Sequence, residues 1–168
     1  MTLNIRGELL DLSTQKVMGI LNVTPDSFYD GGYYNSNAKI LKQVEKMIRD
    51  GATIIDIGGY SSRPGADDIP EKIELDRVIP SLKDCKKYFP ETYFSIDTFR
   101  SKVAEECINN GADIINDISG GNLDNNMMKA VGKYQIPYII MHMKGNPSNM
   151  VKKAKYDDII GELISYFS

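Results

Sequence analysis

Residues 50–59, Asp-Gly-Ala-Thr-Ile-Ile-Asp-Ile-Gly-Gly, and residues 110–121, Asn-Gly-Ala-Asp-Ile-Ile-Asn-Asp-Ile-Ser-Gly-Gly, form an internal repeat. The Gly-Ala steps of the two copies, at Gly51 and Gly111, lie 60 residues apart. In each copy a helix-ending glycine precedes a short apolar run, and a polar side chain and a glycine-rich loop follow that run. We therefore expect two equivalent buried strands that both end in polar loops.

Three further apolar runs resemble the two in the repeat. Because all five are apolar almost throughout rather than alternating, they predict strands that are buried on both faces, as in a parallel sheet. The five predicted strands are Val17–Asn22, Thr53–Gly58, Tyr93–Asp97, Asp113–Asp117 and Pro137–Met143. A hairpin is predicted before them, with strands Thr2–Ile5 and Leu9–Leu12 around Arg6-Gly7-Glu8.

Segments with helical periodicity separate the strands. In the first, the apolar residues of 40–48 share one face and Gly51 follows as a stop signal. The other predicted helices are Pro70–Tyr88, with a kink at Pro80, and Ser101–Asn110, Asn125–Tyr134 and Asp157–Phe167. Strand followed by helix, five times, predicts an α/β fold in one domain over residues 1–168. The equivalence of alternate strands favours a (β/α) barrel, and a doubly wound sheet stays open as the alternative.

The composition is that of an ordinary globular domain. The chain has 168 residues, 42% of them hydrophobic, and its 20 Lys and Arg against 23 Asp and Glu give a net charge of −3. Without a cluster of basic residues it is not expected to bind nucleic acid, and no apolar run predicts a membrane span or a signal peptide. Cys85 and Cys107 lack metal-ligand spacing and predict buried thiols in a reducing compartment, so we expect a cytoplasmic protein. Since nucleic acid is not expected as a partner, we expect a small-molecule substrate.

Polar side chains stand at the ends of the predicted strands, where ligands bind in parallel β/α folds. They are Asn22, Asp56, Asp97, Asn116 with Asp117, and His142. A carboxylate such as that of Asp97 can accept two adjacent N–H groups of an aminopyrimidinone ring, and Asn116 can satisfy the remaining edge. The alternative for each residue is a hydrogen bond to loop backbone or a helix cap. His142 has no nucleophile motif beside it and favours a structural role.

Two long loops follow the first and second strands. The first begins at Asn22 and runs Asn-Val-Thr-Pro-Asp-Ser-Phe-Tyr-Asp-Gly-Gly, and the second begins at Gly58 and runs Gly-Gly-Tyr-Ser-Ser-Arg-Pro-Gly-Ala. The hydroxyls of Ser61 and Ser62, the guanidinium of Arg63 and glycine N–H groups could surround an anion such as pyrophosphate. The alternative is a pair of turn-rich surface loops.

Five motifs, in order and over nearly the whole chain, resemble the dihydropteroate synthase family of pterin-binding TIM barrels. They are Met18-Gly-Ile-Leu-Asn-Val-Thr-Pro-Asp-Ser-Phe-Tyr-Asp-Gly-Gly, Ile55-Asp-Ile-Gly-Gly-Tyr-Ser-Ser-Arg-Pro-Gly-Ala, Ser95-Ile-Asp-Thr, Ile114-Ile-Asn-Asp-Ile-Ser-Gly-Gly and Met141-His-Met-Lys-Gly-Asn-Pro. The resemblance implies a transferase of folate biosynthesis that condenses 6-hydroxymethyl-7,8-dihydropterin pyrophosphate with p-aminobenzoate. The implied products are 7,8-dihydropteroate and pyrophosphate, and the implied assembly of the complete fold is a homodimer.

The resemblance also implies roles for the loop residues. Asn22 would help to bind Mg²⁺ together with the pyrophosphate, and Ser62 and Arg63 would contact pyrophosphate and p-aminobenzoate. As pyrophosphate departs, Mg²⁺ and Arg63 would stabilise the leaving anion. Asn22 and Arg63 are therefore the expected catalytic residues.

On the pterin side, the resemblance implies that Asp97 and Asn116 hold the edge of the ring, with Asp56 deeper in the same pocket. Loss of pyrophosphate leaves positive charge on the pterin methylene, which the Asp97 carboxylate would favour. Attack by the amine then completes the condensation, and the reaction needs no covalent enzyme nucleophile.

The sequence departs from the family in three respects. Where the family usually reads Gly-Gly-Glu-Ser-Thr-Arg, this chain has Tyr60 for the acid and Ser62 for the threonine. A TIM barrel typically has about 250 residues, so we expect a barrel of five β/α units that lacks the last three. Such a chain is expected to be inactive alone and prone to self-association through its open sheet edges.

Two rival functions stay open at this stage. One is the pterin-binding barrel of folate-corrinoid methyltransferases, which shares a strand-end Asp and Asn but has no pyrophosphate to bind. The other is a non-catalytic truncated fragment.

Overall fold

The structure, a computed structural model, describes residues 1–24, 33–61 and 68–168, with residues 33–36 described only as helical backbone. The strands are β1 (Thr2–Ile5), β2 (Glu8–Asp11), β3 (Val17–Asn22), β4 (Ala52–Gly58), β5 (Tyr93–Asp97), β6 (Ile114–Asp117) and β7 (Tyr138–Ile140). The helices are α1 (Tyr33–Arg49), α2 (Glu71–Tyr88), α3 (Ser101–Asn109), α4 (Met127–Tyr134), α5 (Met150–Lys153) and α6 (Ile159–Phe167). Over these described ranges, no helix has both the length and the apolar character that a membrane crossing requires.

Strands β3 to β7 form one parallel sheet in which every strand pairs with the next one along the chain. This sequential order excludes a doubly wound sheet, in which the strand order reverses at a switch point. It is the order of a barrel wall, and it confirms the predicted class of an α/β fold with five barrel-type units after an N-terminal hairpin. Among the described residues the sheet is open, with β3 and β7 as its edges.

The helices cover the outer face of the sheet. Ile55 and Ile57 of β4, Phe94 and Ile96 of β5, and Ile115 of β6 are completely buried there. Side chains alternate between the two faces of a strand, so the intervening residues 54, 56, 95, 97, 114 and 116 face the inside. Near the amino-terminal ends of the strands, both faces of the sheet carry apolar residues, which explains why the strands appear in the sequence as continuous apolar runs.

The hairpin β1–β2 covers the inner face of the sheet at the amino-terminal ends of its strands. Ile5 and Leu10 pack there against Ile54 and Ile114. The turn consists of Arg6 and Gly7, with φ of 53° and 93°, as expected for a two-residue hairpin turn of the mirror-image type. The predicted second strand, Leu9–Leu12, is therefore wrong by one residue, because a two-residue turn places Glu8 in β2.

The Arg6 side chain ties this hairpin to the rest of the fold. Its guanidinium donates hydrogen bonds to the carbonyls of Ile108 (3.0 Å) and Ala112 (2.6 Å) and lies 3.5 Å from the Asp113 carboxylate. Asp113 itself accepts from the Phe94 amide and the Lys86 ammonium. The hairpin is thus held by both apolar packing and charge-assisted hydrogen bonds.

The helices differ from prediction mainly at their ends. Helix α2 begins at Glu71, directly after Pro70, and contains Pro80 without ending there. Strand β7 is Tyr138–Ile140 rather than Pro137–Met143, so His142 lies two residues beyond its end.

The buried thiols of Cys85 on α2 and Cys107 on α3 belong to the core between helices and sheet. Burial raises the pKa of each thiol to about 12.

Candidate functional site

Four neighbouring strands end in one row of residues at the carboxyl edge of the sheet. The pairing register aligns Asn22 with Gly58, Gly58 with Asp97, and Asp97 with Asn116. Residues aligned in this way on parallel strands point to the same face, which here is the inner face. The fold therefore brings Asn22, Asp97 and Asn116 together on the inner face of the sheet.

Asp56 lies one step deeper on the same face, aligned with Ser95 of β5. The Asn116 side-chain nitrogen donates a hydrogen bond of 2.9 Å to the Asp56 carboxylate. This contact crosses β5, and the completely buried Ser95 is the inner-face residue at that level of the strand. The predicted deeper position of Asp56 is thus where the structure places it.

Asp97 is the central charged residue of the row and is only partly exposed. Burial, reinforced by the negative charges of Asp56, Glu74 and Asp117, raises the pKa of the Asp97 carboxyl to about 7. Burial also raises the pKa of Asp56, and the hydrogen bond from Asn116 opposes that shift. Acidic groups this close together cannot all ionise freely, so the site favours a ligand that brings N–H donors or positive charge.

Gly58 separates Asn22 from Asp97 in this row. A Cβ at position 58 would lie 3.4 Å from Asn22 Oδ1 and 3.5 Å from Asp97 Oδ2. The two oxygens therefore border the same space above the glycine. Because Asn22 is partly exposed, its amide oxygen is accessible to a ligand at this edge.

Two other polar residues that were expected at strand ends, Asp117 and His142, have structural partners. Asp117 is completely buried and accepts hydrogen bonds from the Ser119 amide and hydroxyl, the Gly121 amide and the Tyr138 hydroxyl. It organises the loop after β6, as the alternative to ligand binding predicts. His142 lies between aromatic rings, with its ring centre 4.6 Å from that of Tyr166 and 5.7 Å from that of Tyr156. These contacts support the predicted structural role of His142.

Ser62 and Arg63 lie outside the described residues, so their expected roles stay predictions. The residues on either side of them are described. The Gly59 carbonyl accepts a hydrogen bond from Arg77 of α2, and the Tyr60 ring packs edge-on against Phe99 with centres 5.0 Å apart. The second loop therefore begins in contact with α2 and with the turn after β5.

The described residues offer the Asn22 amide oxygen as a ligand for the expected Mg²⁺. Across residues 1–24, 33–61 and 68–168, no three His, Cys, Asp or Glu side chains are close enough together to hold a metal ion. Mg²⁺ commonly binds through one or two protein oxygens while substrate phosphates and water complete its shell. The accessible amide oxygen of Asn22 fits that limited role.

Sequence reasoning did not single out Ser95, although it belongs to the quoted Ser-Ile-Asp-Thr motif. Strand alternation supplies the signal, since a residue two positions before Asp97 must share its face. Its small side chain is completely buried beside Asp56. We expect a larger residue here to obstruct the hydrogen bond between Asn116 and Asp56.

The chain matches known proteins in both sequence and structure. Residues 18–168 match the family described as "Pterin binding enzyme". The chain is 46% identical over 167 residues to dihydropteroate synthase of Escherichia coli K12, covering 99% of this chain and 58% of that protein.

Two solved structures extend this similarity. Yersinia pestis dihydropteroate synthase in a sulfonamide drug complex superposes with a TM-score of 0.88 at 43% identity, over 99% of this chain and 60% of that one. Xanthomonas albilineans dihydropteroate synthase in complex with 7,8-dihydropteroate superposes with a TM-score of 0.82 at 30% identity, over 99% and 57%. The chain thus spans about three fifths of the length of these relatives.

Proposed function

The chain belongs to the family of pterin-binding enzymes, and from this premise we propose that it carries the pterin-binding part of a dihydropteroate synthase. The proposed reaction joins 6-hydroxymethyl-7,8-dihydropterin pyrophosphate to p-aminobenzoate and yields 7,8-dihydropteroate and pyrophosphate. The observation that carries the proposal is the constellation of Asp97, Asn116 and Asp56 on the inner face of the sheet.

In this proposal the three residues contribute to binding of the pterin ring in different ways. The two oxygens of Asp97 accept two adjacent ring N–H groups, as a planar carboxylate does in bidentate pairs. The hydrogen bond to Asp56 fixes the nitrogen of the Asn116 amide, which leaves the Asn116 oxygen to accept from the ring. Asp56 therefore acts by orienting Asn116.

The charge of the site also suits the proposed reaction. Departure of pyrophosphate leaves positive charge on the pterin, and the mutual repulsion of Asp56 and Asp97 decreases when a cation lies between or beside them. The site then stabilises the developing charge more than the neutral ring. This difference is what lowers a reaction barrier.

On the anion side, we propose that Asn22 supplies a protein oxygen to Mg²⁺ and that Ser62 and Arg63 bind the pyrophosphate. A bound Mg²⁺ would neutralise charge on the leaving group. Asn22 and the pterin residues share one edge of the sheet, which supports a substrate that spans both. Homodimer formation and a cytoplasmic location stay predictions, to be checked by light scattering and by cell fractionation.

Pterin binding is the direct test of this function. We expect Asp97→Asn to weaken pterin binding by roughly 2–4 kcal/mol, because an amide N–H would then face a ring N–H. Asp76→Asn is the matched control, since Asp76 is an exposed carboxylate paired with Lys72 on α2. Equal pterin affinity of the wild type and Asp97→Asn, measured by calorimetry, would overturn the assignment.

The anion side needs a separate measurement. Pyrophosphate binding should require Mg²⁺ and weaken in Asn22→Ala and in Arg63→Ala, while pterin without metal still binds both variants. If Asn22→Ala abolishes pterin binding without metal, Asn22 is structural and its proposed metal role is wrong.

A further inference from the structure

Arg100, in the turn between β5 and α3, has charged partners from another part of the chain. Its guanidinium donates to the Glu74 carboxylate at 2.7 Å, to the Asp68 carboxylate at 3.0 Å and to the Ile69 carbonyl at 2.7 Å. The Arg100 side chain is 16% exposed and that of Glu74 only 1%. The pair of Arg100 with Glu74 is shielded from water and is therefore a strong charge-assisted contact, whereas the Asp68 side chain is 82% exposed and contributes less.

The same guanidinium also contacts two aromatic rings. It lies 5.2 Å from the ring centre of Tyr60 and 5.2 Å from that of Phe99. An arginine can stack on aromatic faces while its N–H groups point elsewhere, which a lysine ammonium does not reproduce. Tyr60, which stands where the family usually has an acid, supplies one of these two rings.

These contacts join the two sides of one loop. We propose that Arg100 is a positioning residue for the loop after β4, because it connects Tyr60, which precedes residues 62–67, with Asp68 and Ile69, which follow them. Buried Glu74 in the first turn of α2 holds the guanidinium between the two sides. Arg100 thereby sets how far apart the two ends of the loop lie.

The start of the loop is fixed on α2 as well. A Cβ at Gly59 would lie 2.6 Å from a methyl carbon of Val78 and 3.1 Å from the Glu74 carbonyl, so only glycine allows this approach. Arg100 follows Asp97 by three residues. One short turn therefore carries both the proposed pterin ligand and the residue that ties down the second loop.

The last step of the inference rests on the proposed function. If Ser62 and Arg63 bind pyrophosphate, the separation of the loop ends affects anion binding but not the pterin residues on β5 and β6. Loss of Arg100 should then weaken pyrophosphate binding and leave pterin binding unchanged. A residue that only stabilises the fold would not separate the two ligands in this way.

Hydrogen exchange measured by mass spectrometry tests the tie on the 168-residue polypeptide. In Arg100→Ala we expect the amides of residues 59–61, 68 and 69 to exchange on the order of tenfold faster, with residues 110–121 unchanged. Arg100→Lys should give an intermediate rate, because one ammonium cannot replace the fork and the stacking. Lys102→Ala is the matched control, since Lys102 is an exposed cation that also faces α2, 3.6 Å from Glu71.

Two exchange results would overturn the proposal: no faster exchange in Arg100→Ala than in Lys102→Ala, or the same acceleration throughout the chain. Calorimetry with inorganic pyrophosphate and Mg²⁺, and separately with pterin, provides the second arm. We expect about tenfold weaker pyrophosphate binding in Arg100→Ala. If the wild type binds pterin but no pyrophosphate, the anion role of the loop in the proposed function fails, whereas the exchange result still decides the role of Arg100.

Discussion

Asn116 donates its side-chain hydrogen bond to Asp56, the residue that occupies the equivalent position in the other copy of the internal repeat. The two strands that carry them, β6 and β4, are not neighbours, and β5 lies between them. The repeat therefore places an amide on β6 and, one step deeper in the sheet, a carboxylate on β4, with β5 between them. Because one copy of the repeat has Asn at this position and the other has Asp, the pair consists of one donor and one acceptor.

This asymmetry can be tested by exchanging the two residues. Asn116→Asp should lower the free energy of unfolding by about 1–2 kcal/mol, because a second carboxylate would then face that of Asp56 with no N–H group between them. The double variant Asp56→Asn with Asn116→Asp can form the same bond in the opposite direction and should recover most of that stability in urea titrations.

Pterin binding should not recover in the double variant, because a second carboxylate at position 116 replaces the proposed amide contact to the ring. Recovery of both stability and binding would show that the direction of the hydrogen bond is irrelevant to the ligand. The single variant Asn116→Asp, measured in parallel, separates the charge effect from the effect of the swap.

The raised pKa of Asp97 predicts that pterin affinity depends on pH. Without a ligand, the Asp97 carboxyl has a pKa of about 7, and N–H donors from a bound ring would lower this pKa by stabilising the carboxylate. Affinity should thus be full above pH 7 and fall as the pH decreases through 7. Binding near pH 6.5 should release a fraction of a proton, visible as a dependence of the calorimetric enthalpy on buffer ionisation.

Asp97→Asn is the control for this titration. Any binding that the variant retains should show no pH step near 7, because position 97 can no longer ionise. A step of unchanged size in the variant would assign the titration to another group.

The hydrogen bonds that Arg6 makes from the hairpin predict an effect on stability far from the candidate site. Arg6→Ala removes hydrogen bonds to Ile108 and Ala112 and should lower the free energy of unfolding by roughly 1–2 kcal/mol. Arg49→Ala removes an equally long cation that is 71% exposed and should change it little. Urea denaturation followed by circular dichroism compares the two variants, and equal effects would contradict the stabilising role of the Arg6 hydrogen bonds.

The open sheet predicts that the 168-residue polypeptide does not catalyse the condensation alone. In the described part of the chain no further strand pairs with β3 or with β7, and Ile20 on the inner face is 67% exposed. Water can then compete for the charges that must stabilise departing pyrophosphate. Dihydropteroate formation by the purified polypeptide, with the Escherichia coli enzyme as positive control, measures this, and comparable turnover would refute it.

Much of the fold could be predicted because the apolar runs are nearly unbroken. Strands Val17–Asn22 and Tyr93–Asp97 have the predicted ends, since a polar residue stops each apolar run. The end of β6 agrees with the prediction, but β6 begins at Ile114, one residue after the predicted start, where the Asp113 carboxylate rather than a backbone carbonyl accepts the Phe94 amide. Such long-range partners are invisible to local periodicity.

The candidate site was predictable to the same extent. Strand ends placed Asn22, Asp97 and Asn116 at one edge, because parallel strands end together. The contact of Asn116 with Asp56 and the partners of Arg100 were not predictable, since both join residues that are distant in sequence. Charge and spacing alone assign Arg100 to an ordinary helix start.

The two buried thiols give this chain an internal reporter of unfolding. Cys85 and Cys107 are inaccessible and protonated in the folded core, so a thiol reagent can modify them only when helices α2 and α3 leave the sheet. The rate of labelling therefore measures how often this part of the core opens. A pterin that binds only the folded chain should slow labelling in proportion to its occupancy, which makes thiol chemistry a ligand screen that needs no catalytic turnover.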